Sequence, residues 1–157
     1  NQADGIHVRK GYPVTLINCV VSNNGSNGIR MYSAGIGETY AYNCVAVKNG
    51  GYGMTCDGYR TFEAYNCYAG GNTGADYFWD PNADTAGPTN SYSEDGTEGT
   101  STAPFTTATF VSVSGTGDFH LANGSALEGA GADLSGSFTT DIDGETRTVP
   151  WSIGVDQ

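Results

Sequence analysis

Apolar residues in the first half of the chain fall at every second position within short runs, and Gly, Asn or Ser closes each run. Four such runs are Ile6-His7-Val8-Arg9, Ile29-Arg30-Met31-Tyr32, Met54-Thr55-Cys56-Asp57 and Tyr77-Phe78-Trp79-Asp80. Successive side chains of a strand point to opposite faces. The columns Ile6, Ile29, Met54, Tyr77 and Val8, Met31, Cys56, Trp79 are therefore expected to face inward. The alternate columns, His7, Arg30, Thr55, Phe78 and Arg9, Tyr32, Asp57, Asp80, are mixed and are expected to face outward. No window carries helical apolar spacing for more than a turn or two. The pattern predicts short strands separated by turns.

These runs recur with a fixed spacing. Asn18-Cys19-Val20-Val21, Asn43-Cys44-Val45-Ala46 and Asn66-Cys67-Tyr68-Ala69 start 25 and then 23 residues apart, and Asn24, Asn49 and Asn72 each follow six residues later. Gly28 and Gly53 stand ten residues after the first two Asn positions. A half-copy, Gly5-Ile6-His7-Val8, precedes Gly28 by 23 residues, and a weaker copy begins at Asn90. A period this short, with strands inside it, predicts a solenoid whose every coil is one repeat.

Stacked coils place equivalent residues about 4.8 Å apart. Cys19, Cys44 and Cys67 are expected to form an interior ladder. Asn18, Asn43 and Asn66 are expected to form another, at a bend where Asn tolerates the left-handed conformation and its amide bonds to the next coil. In-register side chains on parallel strands run side by side, which favours free, buried thiols acting as small hydrophobes over disulfides. The absence of CxxC or His-Cys spacing argues against a zinc site at the cysteines.

Composition narrows the partners. The chain of 157 residues has 24 Gly and 10 Tyr, with six Lys and Arg against 17 Asp and Glu, a net charge of −11. A phosphate-binding surface needs clustered basic residues, so nucleic acid is not expected as a partner. No apolar run has the length needed to cross a bilayer, and no membrane partner is expected. No cofactor is expected. The chain reads as a mature domain or as part of something longer.

After Asn90 the repeat decays into a Ser/Thr/Gly-rich stretch and a different order follows: Asp118-Phe119-His120-Leu121, Gly124-Ser125-Ala126, Asp141-Ile142-Asp143-Gly144-Glu145-Thr146-Arg147 and Trp151-Ser152-Ile153-Gly154. This order resembles the C-terminal segment of right-handed parallel β-helix proteins of the pectin-lyase-like superfold, found in secreted bacterial and phage-encoded proteins. The chain departs from that pattern at Ser152, where Asp is usual, and at Leu127-Glu128. The resemblance implies an all-β, right-handed parallel β-helix with coils of 23 to 25 residues, and an extracellular or virion setting. The expected organisation is coils over residues 1 to 98 and a C-terminal β cap over 99 to 157. An architecture of this kind does not fix an activity.

Candidate chemistry lies on the outward face. Asp57 and Asp80 share a register on consecutive coils, which places their carboxyls about 5 Å apart, a spacing suited to the acid and nucleophile of a retaining glycosidase. His7, Arg9, Arg30 and Tyr32 share that face and would hold a glycan. Against this, Asp57-Gly58 and Asp80-Pro81-Asn82 read as strand-ending turns, where Asp is common for local hydrogen bonding. Asp141 and Asp143 offer half of a calcium loop, with Asp133 as a further oxygen donor. The turn lacks the remaining ligands of such a loop. Its carboxylates are expected to cap backbone amides, with Arg147 as a partner.

The expected function is a non-enzymatic structural or attachment role on an extracellular surface, such as a phage virion decoration or fibre protein. A lyase or hydrolase acting on a polysaccharide along the β-helix face is the alternative. The strand edge from Asn1 to Val8 is expected to be continued by further coils or covered by another protein, such as a capsid or tail subunit or symmetry mates in a trimer. Tyr40, Tyr42, Tyr65 and Tyr68 are expected as exposed aromatics for an oligomer interface or for sugar stacking.

Overall fold

The computed structural model describes residues 2–9, 13–32, 38–58, 61–82, 87–97 and 99–157. Asn1, first residue of the expected open edge, and residue 98, at the expected boundary, lie outside them. No helix of the described residues is long and apolar enough to cross a membrane.

The chain is an all-β solenoid. Its first coil is β1 (Ile6–Arg9), β2 (Val14–Ile17) and β3 (Val20–Ser22), and its second is β4 (Ile29–Tyr32), β5 (Thr39–Tyr42) and β6 (Val45–Val47). The third is β7 (Met54–Asp57), β8 (Phe62–Tyr65) and β9 (Tyr68–Gly70), followed by β10 (Tyr77–Trp79), β11 (Tyr92–Ser93) and β12 (Ser101–Thr102). Equivalent strands stack in parallel into sheet 1 (β1-β4-β7-β10), sheet 2 (β2-β5-β8) and sheet 3 (β3-β6-β9-β11-β12). An antiparallel hairpin, β13 (Phe110–Ser112) and β14 (Asp118–Leu121), belongs to the C-terminal segment.

The register is the one the repeats predict. Ile6 pairs with Ile29, Ile29 with Met54 and Met54 with Tyr77, and the Val8, Met31, Cys56, Trp79 column pairs likewise. From the second coil onward these inward residues are buried, and they meet Ala41, Phe62 and Ala64 of sheet 2 and Val21, Ala46 and Ala69 of sheet 3. Full burial of a large apolar side chain contributes about 1.5–3 kcal/mol. At the first coil Ile6, Val8, Leu16 and Cys19 are only partly buried, because among the described residues the first-coil strands have a strand partner on one side alone.

Corners between sheets 2 and 3 are made by Asn18, Asn43, Asn66 and Asn90, with φ of 51°, 51°, 53° and 45°. Asn adopts this left-handed region more readily than other residues with a side chain. The cysteines follow directly and are free. They do more than fill space. The single Cys67 S–H is shared between Ala41 O and Tyr65 O, its sulfur accepts from Cys44 N at 3.4 Å, and Ser91 Oγ accepts from Cys67 N at 3.0 Å one coil on. The thiol ladder therefore continues as a hydroxyl.

Sheet 3 is apolar on both faces. Val45, Val47 and Tyr68 turn outward and are buried beneath Ala103, Phe110, Phe119, Leu127, Ile153 and Val155 of the C-terminal segment. That segment lies along the flank of the stack, and it corrects two expectations. Tyr68 is not an exposed aromatic: it is fully buried, and its hydroxyl donates to Ala103 O at 2.9 Å. The corner Asn amides turn to the C-terminal segment, and the Asn43 nitrogen also lies 3.2 Å from Asn66 Nδ2 on the next coil. Asn18 Nδ2 donates to Thr140 O and Asn66 Nδ2 to Ala132 O, both at 2.8 Å, while the Asn43 amide oxygen faces the Arg147 guanidinium, 2.9 Å from Nη1.

Candidate functional site

The outward face of sheet 1 brings together most of the expected site residues. Strand alternation puts His7, Arg30 and Thr55 in one column and Arg9, Tyr32 and Asp57 in the next. Arg30 reaches across one coil, and its Nε donates to Asp57 Oδ2 at 2.7 Å. Thr55 Oγ1 donates to the other Asp57 oxygen at 3.1 Å. The Arg30 guanidinium also lies over the Tyr32 ring, 5.7 Å from its centroid.

The anchor of this face is a residue the outward columns do not contain. Asp4 accepts from the backbone N–H and Nδ2 of Asn27 at 3.0 and 2.9 Å, and its Oδ2 lies 3.1 Å from His7 Nδ1 and 3.6 Å from Arg30 Nη1. Burial pushes its carboxyl upward, but the bonds from Ser26 and Asn27 and the charge of Arg30 outweigh that and hold it below the usual carboxylate value. Burial and the neighbouring Arg9 hold His7 below the ordinary imidazole value, against the pull of Asp4. A neutral ring that donates from Nδ1 to Asp4 can accept at Nε2, where Arg9 Nε approaches to 3.4 Å. The signal in the sequence is Asp4 standing 23 residues before Asn27, one coil length.

Asp80 is held differently. Its backbone N–H donates to Cys56 O at 2.9 Å, which keeps it beside Asp57 in register, but its carboxylate accepts from Asn82 N and Nδ2, both at 2.8 Å. This is the strand-ending turn expected of Asp-Pro-Asn. Beside it, Phe78 stacks on Tyr52 with ring centroids 4.7 Å apart.

The acidic turn of the C-terminal segment divides its carboxylates. Asp141 is buried, and its Oδ1 accepts from Asp143 N at 3.0 Å and Glu145 N at 2.9 Å. Asp133 caps Ser135 N at 2.9 Å. Arg147 donates to Asp156 O and Gly154 O, both at 3.0 Å, and burial pulls its guanidinium down to about 10. Asp143 points the other way, and its Oδ2 lies 2.8 Å from His120 Nε2, while His120 Nδ1 meets Asp118 Oδ1 at 2.5 Å. Hydrogen bonds to these two carboxylates push the imidazole up to about 9. Asp156 completes this group. Asp118 and His120 are exactly one strand repeat apart, but the 23-residue gap to Asp143 belongs to no coil, so periodicity gives no sign of the cluster.

Comparison with family models, curated proteins and solved structures finds no significant match for this chain.

Proposed function

We propose that the chain is a rigid, non-enzymatic module of an extracellular surface, a structural or attachment element of the phage virion decoration or fibre kind, on a pectin-lyase-like parallel β-helix. The observation that carries this reading is the 2.7 Å pairing of Asp57 with Arg30. A retaining glycosidase needs one protonated carboxyl and one carboxylate free to attack the sugar. Asp57 is bound by Arg30 and Thr55, and Asp80 is bound by Asn82. Both acids are engaged in holding the face in shape.

Two further features support an attachment role. Among the described residues β1 is the end strand of sheet 1, and its outer edge with the partly covered Ile6, Val8 and Leu16 offers a template for a parallel strand, from further coils or from a neighbouring subunit. On the outward face, Tyr32 is 54% exposed beneath Arg30, an aromatic and guanidinium pair suited to contact with a glycan or a protein.

Incubation with a broad panel of acidic and neutral polysaccharides tests the reading. No new reducing or unsaturated ends are expected. Reproducible cleavage that disappears in Asp57→Asn and Asp80→Asn would replace this reading with the polysaccharide-degrading alternative. Hydrogen exchange of Gly5 to Arg9 checks the attachment edge: in the native assembly, protection is expected beyond that of the N–H groups already bonded to the second coil in the isolated chain, such as Gly5 to Asn27 O and Ile6 to Gly28 O. Equal, high protection in both would remove the edge from the proposal.

A further inference from the structure

We propose that His120, Asp143 and Asp156 bind one divalent metal ion of the zinc class, with Asp118 orienting the imidazole from behind. The three ligands come from β14, from the turn after Asp141 and from the last residues of the chain, and their ligand atoms all lie within 4.8 Å of one another. Asp118 Oδ1 engages His120 Nδ1 at 2.5 Å and leaves Nε2 directed at the Asp143 carboxylate. A carboxylate behind the ring of a metal-ligating His is the usual means of fixing its tautomer and raising its basicity. Asp156 is placed independently, since its Oδ2 accepts from Leu121 N at 3.0 Å.

Charge points to the same occupant. Three carboxylates share a single imidazole here, so the group stays negative even with the ring protonated. Among the described residues no Lys or Arg side chain forms an ion pair with Asp118, Asp143 or Asp156. Arg147 hydrogen-bonds Asp156 at its backbone carbonyl, and its charge reaches the Asp156 carboxylate from beyond ion-pair distance. A divalent cation takes the place of the proton that bridges Nε2 and Oδ2 and lowers the negative charge of the group from two to one. The nitrogen donor favours zinc over calcium or magnesium, which prefer all-oxygen sites. His120 and Asp143 side chains are 43% and 56% exposed, so modest rotations bring them to about 2 Å from a shared ion, and water fills the remaining position. Bound there, the ion ties the hairpin, the acidic turn and the chain end into one unit beside sheet 3.

Titration calorimetry of the intact chain with zinc chloride, paired with thermal melts, tests the proposal. Saturable one-to-one binding with a raised Tm is expected, both lost in His120→Gln, and Asp118→Asn should weaken binding by about 10 to 100-fold. These side chains are exposed, and an unchanged circular dichroism spectrum verifies that the variants fold. Excess calcium should not displace the zinc. Absence of saturable binding overturns the site, as does binding undiminished in His120→Gln. Displacement by calcium overturns the zinc-class assignment.

Discussion

Asn49 Oδ1 accepts from both the backbone N–H and the Nδ2 of Asn24, one coil earlier, at 3.2 and 3.1 Å. Asn49 repeats the pattern downward, with its N–H and Nδ2 donating to Asn72 Oδ1 at 3.0 and 3.1 Å. The chain of amides ends on Asp76, whose Oδ1 accepts from Asn72 Nδ2 at 2.9 Å and whose Oδ2 accepts from Glu94 N and Asp95 N. Each rung satisfies a corner N–H that no sheet reaches, so the ladder is the polar counterpart of the apolar lumen.

Asn49→Leu keeps the branched shape but removes the acceptor for the Asn24 backbone N–H and the donor to Val21 O. Each buried polar group left without a partner costs about 1–3 kcal/mol. A loss of about 3 kcal/mol or more is expected in urea unfolding, and a loss under about 1 kcal/mol would show that the ladder is dispensable.

Cys67 and Ser91 perform one role on neighbouring coils, so Cys67→Ser should retain the bonds to Cys44 N, Ala41 O and Tyr65 O. Its expected cost is below that of Cys67→Val, which fills the space and removes the acceptor for Cys44 N, by about 1–2 kcal/mol. Cys44→Asp, placing a carboxylate among apolar coils, should prevent stable folding. Chemical melts of the three variants order them, and Val better tolerated than Ser would refute the hydrogen-bonding role.

Arg147 binds the C-terminal segment together from within: it donates to Gly154 O and Asp156 O and lies over the Trp151 ring at 5.5 Å. Arg147→Met retains bulk and gives up the charge-assisted bonds. The expected result is about 2–4 kcal/mol of lost stability. Early proteolysis after residue 130 should accompany it, and limited digestion with mass spectrometry reads the outcome.

Stability should fall in acid through Asp4. Its folded carboxyl titrates below its unfolded value, so the unfolded chain binds the proton more readily. The contribution is present above the ordinary carboxylate range and is lost as pH drops through the folded value. His7, also held below its ordinary value, adds a loss in the same direction as pH falls through the imidazole range. Urea midpoints between pH 7 and pH 3 should decline less steeply in Asp4→Asn than in the parent chain. An unchanged slope would remove Asp4 as a contributor.

The coil register was legible in the sequence because a solenoid makes long-range contacts periodic. Residues 23 or 25 apart stack on one another, so alternation and a repeated Asn-Cys phrase determine the strands, the lumen columns and the left-handed corners. The outward face was legible to the same extent: His7, Arg9, Arg30, Tyr32 and Asp57 lie together because their columns do. Only the tertiary structure decided what has no period. The burial of Tyr68, the turning of Asn18, Asn43 and Asn66 toward the C-terminal segment, and the meeting of His120 with Asp143 all join the repeats to a tail, or one part of that tail to another. Such contacts depend on how an irregular segment settles against sheet 3, a choice made by the shape of a buried surface and not by any spacing along the chain.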